Sequence, residues 1–155
     1  MSSQSPAFID PRGPRFGAAI TTVVIAVVLV TGNGWLLAAQ TVVFAVSALS
    51  GLKYSPYGYI YRKLVRPRLP KPTELENPAP PTFAQGVGFV FAAVGAAGYL
   101  SGVTALGLVF TGFALAAAFL NAAFDFCLGC EMYLLLRRGT QRRQPVGEPT
   151  SRLVG

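Results

Sequence analysis

The chain alternates between long uncharged stretches and short charged ones. No Asp, Glu, Lys or Arg occurs from Phe16 to Leu52 or from Asn77 to Phe124. A charge near the centre of a membrane helix costs about 2.5–3.5 kcal/mol on insertion scales, whereas helices around a soluble core keep one polar face. Two uncharged blocks of this length therefore predict helices that lie within a lipid bilayer.

Each block is too long for one span, which needs about 20 residues, and each contains a turn signal. Gly, Asn and Ser clusters punctuate helices, and they occur at Thr31–Gly34 and at Leu100–Gly102. We therefore predict an all-α polytopic membrane protein. Its four-helix transmembrane bundle is predicted to have helices near residues 16–30, 35–52, 83–100 and 103–136.

The segment between the two hairpins, residues 53–82, is basic and rich in proline and tyrosine. Its seven prolines exclude a long continuous helix. Four tyrosines carry amphipathic rings typical of a membrane interface, namely Tyr54, Tyr57, Tyr59 and Tyr61. We interpret this segment as an interfacial loop or short surface helix.

The last predicted helix is longer than a membrane is thick. Residues 103–136 would extend about 50 Å at 1.5 Å per residue, against about 30 Å of hydrocarbon. The stretch Asp125–Leu136 should therefore lie at or beyond the membrane surface. Glycine and alanine are dense in the third and fourth helices, which predicts close packing of the helix backbones. The polar tail, residues 139–155, is expected to be disordered.

The distribution of basic residues predicts the orientation. All 13 Lys and Arg lie in residues 1–15, in the central loop or in the C-terminal segment. Four spans place these segments on one side, and the positive-inside rule assigns that side to the cytoplasm of the plasma membrane. A secretory signal peptide is the competing interpretation of the N-terminus, but no convincing small-residue cleavage site follows the first apolar run.

The net charge of +7 raises the question of nucleic acid. The basic residues stand where hydrophobic segments end, and the sequence contains no legible nucleic-acid-binding module. We therefore expect them to set the topology, in contact with anionic lipid headgroups, and we expect no nucleic-acid partner.

Candidate chemistry is confined to one cluster late in the last predicted helix. The chain has no His, the commonest general base and metal ligand. Its only two cysteines form Cys127-Leu-Gly-Cys130, and at i,i+3 on a helix they are close enough for a disulfide. A CxxC pair is the usual unit of thiol–disulfide exchange. Cys127 and Cys130 are therefore the candidate catalytic redox pair, and no cofactor or metal is predicted for a single chain.

Acidic neighbours argue against a strongly activated thiol. Asp125 and Glu131 are candidate modulators, because adjacent negative charge disfavours the thiolate, and the pair lies away from a helix N-terminus. Gly129 is expected to let the backbone adjust on oxidation. Asn121 and Asp125 share a helix face about 160° from Cys127, and a salt bridge from Asp125 to a loop arginine is expected.

Three interpretations of the cysteines stay open. They are redox or sulfur-transfer thiols, small apolar residues that fill the core, or half of a Cys₄ zinc site shared by two chains of a homo-oligomer.

Four strings along the chain together resemble the DUF4395 family of small bacterial membrane proteins. They are Asp10–Phe16 (DPRGPRF), Tyr54–Tyr57 (YSPY), Pro81–Ala84 (PTFA) and Cys127–Tyr133 (CLGCEMY). The resemblance covers residues 10–138 and implies a four-span protein with no established activity. Some members are encoded near thioredoxin-like and thiosulfate-sulfurtransferase-like proteins, and this association favours a thiol or sulfur role.

The leading hypothesis is a membrane protein whose Cys127 and Cys130 exchange electrons or sulfane sulfur with a cytosolic thioredoxin-like or sulfurtransferase partner. The basic loop would be the docking surface. The alternative is a non-catalytic membrane scaffold or assembly subunit with structural cysteines. Transport is a weaker third class, because no pair of broken helices marks a substrate site.

Overall fold

The computed structural model describes residues 8–141; residues 1–7 and 142–155, which hold most of the predicted tail, lie outside the described range. Within that range the helices are α1 (Arg12–Thr31), α2 (Gly34–Leu49), α3 (Pro56–Ile60), α4 (Ala79–Leu100), α5 (Thr104–Phe124) and α6 (Leu128–Gln141). The β-pairing in this range is a single bridge between Ile9 and Glu76. The predicted all-α class is confirmed.

Both predicted turns are present, and local backbone chemistry explains them. α1 ends where Gly32 adopts a left-handed conformation, φ 65°, and donates its N–H to the Val28 carbonyl, as glycine does after many helices. Asn33 then caps α2, because its side-chain oxygen accepts the N–H groups of Trp35 and Leu36 at 3.1 Å. Gly102, with φ 86°, forms the second turn.

Helix boundaries differ from the predicted ones at several ends. α1 begins at Arg12 rather than residue 16, and α4 at Ala79 rather than residue 83. Prolines fall in the first turn of α1 and of α4, where the backbone N–H has no partner within the helix and is not needed. α2 ends at Leu49 rather than residue 52, since Gly51 has φ 85° and leaves the helical conformation.

The long helices expose the apolar surface that lipid requires. α1, α4 and α5 are long and apolar enough to cross a membrane, and α2 is a shorter apolar helix of 16 residues. Their exposed side chains include Val23, Val30, Trp35, Val42 and Phe113. A soluble monomer rarely exposes so much contiguous apolar area. The chain is therefore a helical membrane protein.

Small residues bring the helices of the bundle into close contact. α4 packs against both α2 and α5, and α1 packs against α5. Gly88 lies under the Phe44 ring, and a Cβ added at Gly98 would come within 2.6 Å of the Gly107 backbone nitrogen. The close backbone packing predicted from glycine and alanine is thus present. The buried cluster consists of Val28, Leu37, Phe44, Ala92 and Ala96.

The continuous helix predicted over residues 103–136 is wrong. α5 ends at Phe124, where Asp125 adopts a left-handed conformation with φ 55°. The N–H groups of Asp125 and Phe126 both point to the Leu120 carbonyl, with Phe126 at 3.2 Å, so the turn after α5 caps the last carbonyl groups of the helix. Aspartate is one of the few residues that tolerate this conformation. α6 then begins anew at Leu128, and the chain turns a corner instead of extending beyond the bilayer.

The central segment forms short helical turns, as its prolines predict. Besides α3 these are Leu52–Tyr54, Tyr61–Val65 and Arg66–Arg68. Two of the four tyrosines are packed inside the protein and are not exposed on its surface. Tyr61 is only 3% exposed, and the Tyr57 hydroxyl donates to the buried Gln40 side chain, because both rings pack against α1.

Candidate functional site

The N-terminal segment, the central segment and α6 meet at one end of the bundle, which we call the basic end. The two turns, at residues 32–33 and 101–103, form the opposite or neutral end. Ile9 and Glu76 exchange two backbone hydrogen bonds of 2.9 Å, and the Arg15 Nε donates to the Ala122 carbonyl in the last turn of α5 at 3.1 Å. Segments far apart in the chain are therefore joined at the basic end.

Asp10 anchors the N-terminal segment to the central one. Its carboxylate pairs with Arg12 at 2.9 Å and accepts the Tyr61 hydroxyl at 2.8 Å. Arg12 also donates to the Pro70 carbonyl at 3.0 Å. Burial raises the pKa of Asp10, but the hydrogen bonds from Arg12 and Tyr61 together outweigh burial, so the pKa lies below its ordinary value. The Asp10–Phe16 segment therefore stabilises the fold, because it joins the N-terminal segment to the central one.

Cys127 and Cys130 form a disulfide at the start of α6. Their Cα atoms are 5.1 Å apart, within the range predicted for the pair. The Cys127 carbonyl accepts the Glu131 N–H at 3.0 Å, and the backbone N–H of Cys130 donates to the Cys127 Sγ at 3.2 Å. Cys127 therefore occupies the N-terminal capping position of α6.

This placement overturns the expectation that the cysteines lie late in a helix. Helix N-termini carry unpaired N–H groups and the positive end of the helix dipole, and both stabilise a thiolate. The corner at Asp125 moves Cys127 from the interior of one helix to the beginning of another. The predicted position late in a helix disfavoured an activated thiol, whereas the observed position at the N-terminus of α6 favours one.

The predicted salt bridge from Asp125 to a loop arginine is wrong within the described part of the chain, where the ion pair is that of Arg12 with Asp10. Asp125 instead lies near Glu76. Burial first, and the charge of Asp125 second, raise the pKa of Glu76 above its ordinary value. Asp125 and Glu131 are both exposed, and their modulating roles stay predictions.

Gly129 has a packing role that the sequence did not predict. It is buried, and an added Cβ would come within 2.6 Å of both the Cα and the Cβ of Ala84. Next to this contact the rings of Phe83 and Tyr133 lie 5.7 Å apart. Gly129 is therefore required for the close approach of α6 to α4, because no larger residue fits there.

A cavity of about 240 Å³ lies beside Cys127 between the helices of the bundle. Its wall is mainly apolar, and the polar residues that interrupt it are Thr21, Gln85, Asn121 and Cys127. Asn121 and Cys127 both line this cavity. A continuous helix would place them on different faces, but the corner at Asp125 changes the direction of the chain between them. Gln85 is a residue of this wall that the sequence did not predict, although an amide side chain within an uncharged block was a signal for it.

A larger cavity of about 770 Å³ lies at the basic end. Asp10, Tyr57, Arg62 and Arg66 are among its lining residues. Thr21 and Gln85 line both cavities, so the polar space at the basic end adjoins the apolar space beside the disulfide. Across residues 8–141, no group of three or more His, Cys, Asp and Glu side chains could hold a metal ion.

Comparison with known proteins identifies the family. No curated protein and no solved structure matches the chain, whereas one family model, described as a domain of unknown function (DUF4395), matches residues 9–138. Strings that carried the resemblance also meet in space, since Pro81–Ala84 packs against Cys127–Tyr133. Because the match covers well over half of its length, the chain belongs to the DUF4395 family.

Proposed function

We propose that this protein is an integral membrane thiol–disulfide protein. Cys127 and Cys130 exchange two electrons, or a sulfane sulfur, with a soluble thioredoxin-like or sulfurtransferase partner. The observation that carries the proposal is the position of Cys127 at the N-terminus of α6, bonded to Cys130.

The geometry favours Cys127 as the attacking sulfur. The Cys130 N–H, 3.2 Å from the Cys127 Sγ, together with the helix dipole, stabilises a thiolate there in the reduced pair. That thiolate attacks a partner disulfide and forms a mixed disulfide. Cys130 then attacks the Cys127 sulfur, which restores the Cys127–Cys130 bond and releases the partner as a dithiol. The reverse sequence reduces the pair.

A purely structural role fits the pair less well. A disulfide that closes a loop this short restricts the unfolded chain by only about 2 kcal/mol in the loop-entropy model. Other contacts already hold the corner, namely the backbone bond from Phe126 to Leu120, the Arg15 bond to Ala122 and the contact of Gly129 with Ala84.

The basic end is proposed to face the cytoplasm. Residues 53–71 hold six Lys and Arg, whereas the two turns of the neutral end hold none, and the positive-inside rule then gives the orientation. Exposed Lys53 and Lys63 lie over the rings of Tyr54 and Tyr59 at 5.8 and 5.2 Å, and they offer a basic aromatic surface to a partner. Reporter fusions at residue 65 and at the C-terminus should report the same compartment; opposite compartments would refute the orientation.

Single cysteine variants test the exchange. In cells, Cys130→Ser should accumulate a mixed disulfide between Cys127 and the partner, which a reducing agent releases. Cys127→Ser is the matched control and should accumulate none, because the stabilised thiolate is absent. Wild-type protein should also change its maleimide-labelling state on incubation with a reduced thioredoxin system. Thiols that never change state, together with no adduct from either variant, would overturn the proposal.

The alternative is a non-catalytic scaffold or assembly subunit, in which the exposed basic aromatic surface recruits a partner. It predicts that a Cys127→Ser/Cys130→Ser double variant is expressed normally and retains the phenotype of the wild type. The thiol–disulfide proposal predicts normal expression with loss of the phenotype.

A further inference from the structure

We infer that the cavity beside Cys127 binds the ring of a lipid-soluble quinone, which accepts two electrons from the reduced Cys127–Cys130 pair. The inference rests on the proposed thiol–disulfide function and names a second redox partner for the same cysteines. It follows from the placement of one sulfur and two amide side chains around an apolar space inside a membrane bundle.

The size and opening of the cavity suit a single substituted ring. Its volume of about 240 Å³ lies just below the roughly 300–1,000 Å³ of pockets for drug-sized molecules. Phe113, Leu128 and Met132 line the cavity and are also exposed on the outside of the helices. The cavity is therefore bordered by exposed apolar side chains of α5 and α6, past which a hydrocarbon tail can extend into lipid.

The polar side chains of the cavity match the two carbonyl oxygens of a quinone. Thr21 is already engaged, since its hydroxyl accepts a hydrogen bond from Gln40 at 3.4 Å. Gln85 and Asn121 also line the cavity and bring two amide groups, each with N–H donors, to its wall. Within a bilayer an unsatisfied donor is costly. A quinone offers acceptors to both amides, whereas a lipid acyl chain offers none.

The chemistry balances without any further reactant. The Cys127 sulfur adds to a ring carbon, and Cys130 then attacks the Cys127 sulfur. The sulfur–sulfur bond forms as the carbon–sulfur bond breaks, and that electron pair remains on the ring. The two thiols lose two electrons and two protons, and the quinone takes up both to become a quinol. A soluble dithiol then reduces the disulfide again by exchange.

The test uses the reduced full-length protein in lipid nanodiscs with decylubiquinone, whose ring is fully substituted. We expect one quinone to be reduced for each disulfide formed, as measured by quinone absorbance and maleimide labelling. Ala118→Phe places a phenyl ring in space that the quinone ring needs and should slow quinone reduction at least about tenfold. Ala116→Phe places the same side chain on the exposed face of α5 and should react like the wild type.

A second variant tests the hydrogen bond without filling space. Asn121→Leu removes one donor and should raise the quinone concentration for half-maximal rate about three- to tenfold. An unchanged concentration dependence in both Asn121→Leu and Ala118→Phe would overturn the inference.

Dithiol exchange, measured on the same proteins, separates this inference from the proposed function. Retained exchange in Ala118→Phe together with lost quinone reduction supports the quinone site. Wild-type protein that exchanges with dithiols but reduces no quinone overturns the quinone site alone. Thiols that react with neither dithiol nor quinone overturn both proposals.

Discussion

α4 and α5 touch at the neutral end of the bundle, whereas a cavity lies between them toward the basic end. At the neutral end Gly98 and Gly107 leave no room for a methyl group. Toward the basic end Ala114, Ala117 and Ala118 of α5 line the cavity beside Cys127. At the neutral end, small residues let α4 and α5 pack directly against each other. Toward the basic end, residues of α6 complete the wall of the cavity.

The two ends also differ in their hydrogen bonds. Those of the neutral end are local, such as the bonds of the Asn33 cap, while the basic end has bonds between distant segments, such as Arg15 with Ala122. The difference teaches that the direct contact between α4 and α5 and the candidate chemistry occupy opposite ends of one small bundle. Substitutions at the two ends should therefore have separable effects.

The largest effect on stability is expected from Gly98→Ala. The added methyl would come within 2.6 Å of the Gly107 nitrogen, so α4 and α5 must separate, and the free energy of unfolding should fall by about 3 kcal/mol. Gly112→Ala in α5 meets nothing within 4 Å and should cause no loss. Equilibrium unfolding in mixed micelles measures both. Equal stabilities would show that the neutral end is not the tightly packed one.

Gly129→Ala should have the next largest effect, and at the basic end. Its methyl would clash with Ala84 at 2.6 Å and displace α6 from α4, which should cost about 2 kcal/mol. It should also change the rate of dithiol exchange, which Gly98→Ala should leave unchanged in the folded protein. Gly139→Ala, with nothing within 4 Å, is the control. A wild-type rate of dithiol exchange in Gly129→Ala would show that the packing of α6 on α4 does not affect the disulfide.

Asn33→Ala should cost about 1 kcal/mol, because two N–H groups at the start of α2 lose their acceptor. Asn33→Asp keeps the acceptor oxygen and should remain close to the wild type in the same unfolding measurement. Because the cap is local, neither change should alter dithiol exchange. A change in exchange would show that the two ends are coupled.

The smallest effect is expected from Glu76→Gln at the basic end. Burial and Asp125 raise the pKa of Glu76, so the folded state binds this proton more tightly than the unfolded state does. Its contribution to stability is present below the ordinary value of 4.5 and is lost as the pH rises through the folded-state pKa. Glu76→Gln should therefore be slightly more stable than the wild type at neutral pH.

Thermal unfolding of Glu76→Gln and the wild type at about pH 4 and about pH 8 measures this difference. The gain is small because Glu76 is only partly withdrawn from water, and water screens the charges. Asp10 acts with the opposite sign, since its lowered pKa gives stability that is lost as the pH falls. A Glu76→Gln gain that does not shrink toward acidic pH would contradict the proximity of Glu76 and Asp125.

The sequence predicted the helices better than it predicted the site. The turns at Thr31–Gly34 and Leu100–Gly102 were readable because Gly, Asn and Ser act through their own backbone preferences. The corner at Asp125 was not predicted, although a helix too long for the bilayer was a signal for it. Apolar periodicity continues through Phe126 and Leu128, and it therefore concealed the break.

By itself the sequence determined which stretches are apolar, where they are interrupted and which end is basic. Lipid and water solvate each residue nearly independently, so these properties add up along the chain. Only the tertiary structure decided that Cys127 begins a helix, that Asn121 shares its cavity and that Glu76 lies near Asp125. These placements depend on contacts such as Arg15 with Ala122 and Ala84 with Gly129, which join residues far apart in the chain.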